Sequence, residues 1–92
     1  MNARAGASPP KALVAAADSA LRTFAFDRLA ELGYRVDAVG DDVAVTRRLE
    51  KDEYALIVTD ALTIPPVAAS TRVVRLAPEI TGDPEEFDRT IA

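Results

Sequence analysis

Asp60 closes the apolar run Tyr54–Thr59, and Asp18 follows a second apolar run, Ala12–Ala17. A carboxylate delivered to the end of a strand can hold a hard cation, which takes oxygen ligands, or act as a nucleophile. Two of them on neighbouring strands could do either. The junction after Ala12–Ala17 is where an α/β protein gathers acidic residues around a metal or phosphate, yet it presents Ala16 and Ala17. Asp18 stands one position further on and also suits the N-cap of a following helix. Asp41 and Asp42 read either as an acidic patch or as a solvated turn and cap. Arg47 and Arg48 could grip a phosphate or form a solvated face beside Glu50 and Asp52.

Composition removes most other chemistry. The 92 residues hold no Cys and no His. Disulfides, thiolate nucleophiles, the usual zinc ligands and imidazole acid/base catalysis are therefore excluded. Eleven basic against 15 acidic residues give a net charge of −4, which disfavours nucleic acid and anionic membranes, whose binding rests on clustered Lys and Arg. With 49% hydrophobic residues the chain has the composition of a folded domain. The longest early apolar run is too short for a signal peptide or a membrane span. No metal and no cofactor is expected, and the location expected is cytoplasmic.

The elements that must position these residues follow from periodicity. Residues 1–10, closed by Pro9 and Pro10, read as a flexible tail, and 11–92 as one domain. Ala12–Ala17 has the continuous apolar pattern of a parallel strand covered on both faces. Asp18 or Ser19 caps a helix whose stripe is Leu21, Phe24, Ala25, Leu29 and Leu32, ended by Gly33. Phe26 falls off that stripe. Tyr34–Val39 is a second strand, Gly40–Asp42 a turn, and the next helix runs to about Lys51 over Val45 and Leu49. Tyr54–Thr59 is the third strand. This β-α-β-α-β order implies a parallel sheet with right-handed crossovers.

After Asp60 the helical period stops. Residues 61–71 contain two prolines, and eleven extended residues reach about 36 Å, enough to return without a helix. A fourth strand, Arg72–Leu76, carries two arginines that suit an edge. Asp83, Pro84 and Glu86 then start a last helix by cap, Pro position and capping box.

In its order and spacing, Lys11 to Asp60 resembles the receiver domain of two-component response regulators. The residues that carry this are ALVAAADSALR, LAELGYRVDAV and YALIVTD. The resemblance implies a flavodoxin-like sheet of about four strands in the order 2-1-3-4, without the family's fifth strand and fifth helix. It places Asp60 at the phosphoacceptor, Ala16 and Ala17 at the Mg²⁺-binding acidic pair, and Ala77 at the hydroxyl that senses phosphate. Nothing matches the family's Lys. Two methyl groups cannot supply oxygen ligands to Mg²⁺, so no phosphoryl-transfer catalysis is expected. Asp60 is then a relict carboxylate held by backbone N–H groups, or else an acceptor phosphorylated with a partner's help.

The expected role is that of a pseudo-receiver: a non-catalytic protein-interaction module in bacterial signal transduction. Its partners would be a histidine kinase, a phosphotransfer protein, a response regulator or a second copy. Lack of the fifth strand and helix is expected to leave a strand edge and apolar surface near Val73, Val74, Leu76, Phe87 and Ile91, a possible homodimer interface. The competing expectation is that the helix from Pro84 folds back over that surface. A small ligand-binding α/β domain, using the ends of strands one and three, is the third reading.

Overall fold

The computed structural model describes residues 9–92. Residues 1–8 of the expected tail lie outside the described residues, and Pro9 and Pro10 are exposed and lead directly into the first strand. Four strands form one all-parallel sheet in the order β2-β1-β3-β4: β1 Lys11–Ala15, β2 Arg35–Val39, β3 Leu56–Thr59 and β4 Arg72–Arg75. Three α-helices flank it: α1 Ser19–Glu31, α2 Asp42–Lys51 and α3 Pro84–Ile91. The expected fold class, a mostly parallel sheet in the order 2-1-3-4 flanked by helices, is therefore observed, and the direction of β4, which the sequence leaves open, is parallel.

The central strands are buried on both faces, which is why they read as continuous apolar runs. Ala12 to Ala15 are fully buried, and Leu56 to Thr59 are at most 2% exposed. Their alternate residues supply two cores. Ala12, Val14, Leu56 and Val58 pack beneath α1 and α3, together with Leu21, Ala25, Leu29, Phe87 and Ile91. Leu13 and Ile57 face the other way, toward Tyr54, Leu49 of α2, and Ile64 and Val67 of the segment 60–71. That segment has no regular helix; it covers the sheet with two apolar side chains where a helical crossover would use a whole face.

Local signals set the element ends. The Asp18 side chain accepts the Leu21 N–H and caps α1, and Gly33 follows that helix with φ +98, a conformation glycine adopts without strain. Leu32, expected on the buried stripe, is instead 43% exposed, because the helix has already ended at Glu31 and Leu32 lies past its last turn. Asp41 caps α2 through the Ala44 N–H. Asp83 accepts the Glu86 N–H and Pro84 begins α3, as the capping signature implies.

α3 decides the fate of the expected interface. It packs beside α1, with Phe24 and Phe87 edge to face at 5.6 Å between centroids and Arg28 paired with Asp88 at 2.6 Å. Leu76, Phe87 and Ile91 are consequently 5, 0 and 5% exposed, and they are core residues of the single chain. Val74 is half-buried against the same core, and only Val73 of the five is exposed. The surface expected to be open is thus closed on the α1 face by the chain's own last helix. Apolar area won over vacancy here: burying Phe87 and Ile91 removes two large side chains from water at roughly 1.5–3 kcal/mol each. No helix among the described residues is long and apolar enough to cross a membrane.

Candidate functional site

The C-terminal ends of β1 and β3 lie side by side, with Ala15 opposite Thr59. This is where an open α/β sheet offers a crevice to ligands. Asp60 leaves β3 there, and β1 leads into Ala16, Ala17 and Asp18.

Both Asp60 carboxylate oxygens are occupied. Oδ2 accepts the Ala17 N–H at 3.0 Å and the Asp18 N–H at 3.3 Å, across the gap between the two strands. Oδ1 accepts the Ala61 N–H and, at 3.2 Å, the Leu62 N–H of its own loop. Burial pushes the carboxyl up, but these four backbone donors outweigh it and hold Asp60 below the ordinary aspartate value. Asp60 is therefore an ionised clasp between the β1–α1 turn and the segment that follows β3.

The other acids at this end are used the same way. Asp18 caps α1. Asp41 caps α2, and Asp42 Oδ1 accepts the Thr63 N–H at 3.0 Å, tying the start of α2 to the segment after Asp60. The arginines complement them by donating to carbonyls. Arg22 Nη1 reaches the Ala16 carbonyl at 2.7 Å, and a Cβ on Gly40 would come within 2.9 Å of that nitrogen, so glycine leaves the guanidinium its space. Arg75 donates to the carbonyls of Asp60 and Leu62; Arg72, at the other end of β4, donates to those of Ile91 and Thr90 at the end of α3.

Chemistry-bearing side chains thus serve here as loop fasteners. Ala16 is buried, Ala17 and Ala77 are exposed, and none carries a side-chain oxygen. No group of three His, Cys, Asp or Glu residues that could hold a metal occurs among the described residues. The methyl side chains of Ala16 and Ala17 offer no oxygen ligand and do not fit Mg²⁺.

Sequence reasoning placed Asp18, Asp41 and Asp60 but missed Arg22 and Arg75 as site-building residues. Arg75, an edge charge by its strand position, also fastens the loop after β3. The retrievable signal was Gly40, whose missing side chain marks a close approach. The reading of Arg48 as part of a solvated face matches its 3.7 Å contact with Asp52. Thr59, next to Asp60, is 1% exposed and its hydroxyl has no hydrogen-bond partner.

A separate polar cluster lies at the opposite end of the sheet. The Tyr54 hydroxyl donates to Asp37 at 2.7 Å, and Lys11 pairs with Asp52 at 2.9 Å while lying 5.2 Å from the Tyr54 ring centroid. Burial, and then the Asp37 carboxylate, push the Tyr54 phenol well above its usual value, so it stays protonated as a donor. This cluster fastens the middle of β2 to the segment that leads into β3, and the start of β1 to the end of α2. Comparison with protein-family models, curated proteins and solved structures gives no match to this chain.

Proposed function

We propose that this protein is a receiver-like domain without phosphoryl-transfer machinery, acting as a cytoplasmic interaction module in bacterial two-component-type signalling. The observation that carries the reading is the state of Asp60. At the position of the family's phosphoacceptor, its two oxygens accept four backbone N–H groups, and the neighbouring acidic-pair positions are Ala16 and Ala17. A carboxylate in that position would have to give up donors before attacking phosphorus, and Ala16 and Ala17 beside it offer no oxygen to hold a cation against the developing charge.

The module then acts by docking, as a constitutive adaptor or competitor for a histidine kinase, a phosphotransfer protein or a conventional regulator. The test is exposure of the protein to a small phosphodonor with Mg²⁺, followed by intact mass. No phosphoryl adduct is expected on the wild type or on Asp60→Asn. An adduct on the wild type that Asp60→Asn abolishes would overturn the reading and make the protein an atypical phosphorylated regulator.

A further inference from the structure

Four large apolar side chains are exposed among the described residues: Phe26, Leu32, Val43 and Val73. Three of them lie on α1, just after it, or on α2, the segments that precede and follow β2 in the chain. Phe24 and Arg28 of α1 face α3, and the helical period puts Phe26 on the opposite flank, toward β2. Leu32 follows the last turn of α1 just before the chain enters β2, and Val43 lies in the first turn of α2, just after the chain leaves it. Val43 also joins Val39 of β2 in lining an open groove of about 740 Å³ along α2.

The backbone of β2 is open on the same side. Arg35 donates its N–H to the Pro10 carbonyl, and the Val39 carbonyl accepts the Ala16 N–H. By the parallel ladder Arg35, Asp37 and Val39 turn their backbone groups toward β1, while Val36 and Ala38 turn theirs outward. No strand pairs with that outer edge among the described residues.

The side chains of this strand are self-complementary. Asp37 accepts from Tyr54 on the α2 face, and Arg35 shares that face by the period of two. If a second copy runs antiparallel with its two-fold axis at Val36, the outward groups of the two Val36 residues meet in a hydrogen-bonded pair. Arg35 of each copy then stands opposite Asp37 of the other, and Ala38 opposite Tyr34. Opposite charges directly across an antiparallel pair stabilise it, and like charges oppose it. Moving the axis to Asp37 would set two carboxylates face to face. β4 has no such register, because its sequence Arg-Val-Val-Arg contains no acid. Arg35 has no ion-pair partner within the chain among the described residues, so its charge is available.

We infer that β2 is a self-pairing edge: two copies join antiparallel about Val36 into one continuous eight-stranded sheet, with Arg35 of each paired to Asp37 of the other. This two-fold arrangement is closed and isologous. It does not depend on the receiver-like reading, since it uses only the edge, its register and its charges.

The test is molar mass by light scattering over a concentration series, with hydrogen exchange on the same samples. The wild type is expected to rise toward twice the chain mass, with the Val36 and Ala38 amides becoming protected as it does. Arg35→Asp puts two acids on this face and Asp37→Arg two bases, so each alone should stay monomeric. Their equimolar mixture should restore a 1:1 heterodimer. Ala38→Pro removes an outward N–H that the single chain does not use, and should also give a folded monomer. If Asp37→Arg fails to fold after losing the Tyr54 contact, Arg35→Asp and Ala38→Pro carry the decision. A wild type that stays monomeric, a mass that grows without limit, or a dimer indifferent to Arg35→Asp and Ala38→Pro would each overturn the proposal.

Discussion

At Asp60 and Thr59 two adjacent residues carry opposite consequences for stability. Hydrogen bonds to a charged group contribute about 1.5–3 kcal/mol. Asp60→Ala, which releases four backbone N–H groups from their acceptor, should therefore destabilise the domain by about 2 kcal/mol, read as a lower urea midpoint at unchanged slope. The pH dependence follows from the direction of the shift. Because folding lowers the Asp60 pKa from 3.8, its charge contributes fully above the unfolded value, and the contribution is lost as pH falls through the folded value. The stability gap between wild type and Asp60→Asn should stay constant from neutral pH down to about 5 and narrow below about 4. A gap that persists undiminished at pH 2 would show that charge is not what holds the clasp. Thr59 presents the reverse case. A buried hydroxyl without a partner costs about 1–3 kcal/mol, and valine keeps its shape without the polar atom. Thr59→Val should raise stability by about 1 kcal/mol; a loss of similar size would mean that the hydroxyl is satisfied in solution.

Among the elements, α3 changes the meaning of the sequence most. Its existence was legible, since Asp83, Pro84 and Glu86 spell a helix start, but its position was not. Phe87 and Ile91 show one apolar face of a short helix, and a short helix can cover its own sheet or a partner with the same residues. The packing chose the sheet, through contacts with Phe24 and Arg28 that lie about sixty residues away in sequence and have no local signature. The strands were legible for the opposite reason. Ala12–Ala15 and Leu56–Thr59 are covered on both faces, so each residue is apolar whatever its neighbours, and the continuous run survives any register. The site was legible at Asp60 and Asp18, which end a strand and start a helix. It was hidden at Arg22 and Arg75, whose targets are backbone carbonyls that no residue type announces. Because Phe87 is fully buried in the single chain, Phe87→Ala should cost about 3–5 kcal/mol of folding stability, seen as a large loss of thermal midpoint. A folded variant of nearly unchanged midpoint would show that α3 does not pack against α1. Asp83→Ala, which removes the cap alone, should cost about 1 kcal/mol.

The whole molecule is asymmetric about its sheet. On one face α1 and α3 share a core with twelve buried residues from five parts of the chain; on the other, the buried cluster is only Leu13, Tyr54 and Ile57, under α2 and the irregular segment after Asp60. Opening free energy follows buried apolar contact, so the two faces should not open together. α2 buries a single residue fully, Val45, against three for α1. It is fastened mainly by hydrogen bonds at its start, where the Asp41 carboxylate accepts the Ala44 N–H and the Asp42 carboxylate accepts the Thr63 N–H. Its last turn carries exposed Lys51 and the half-buried Asp52 pairs with Lys11 and Arg48. The central strands, by contrast, can release their amides only when both faces part. Native-state hydrogen exchange in low urea should therefore show the mid-helix amides of α2 exchanging through a smaller opening than those of β1, β3 and α1. The α2 isotherm should join the global one only as urea rises. If α2 and α1 amides already share one opening free energy and one urea slope without denaturant, the thin face is no weaker than the thick one. Cooperativity across the sheet would then have to come from β1 and β3, which contribute side chains to both cores.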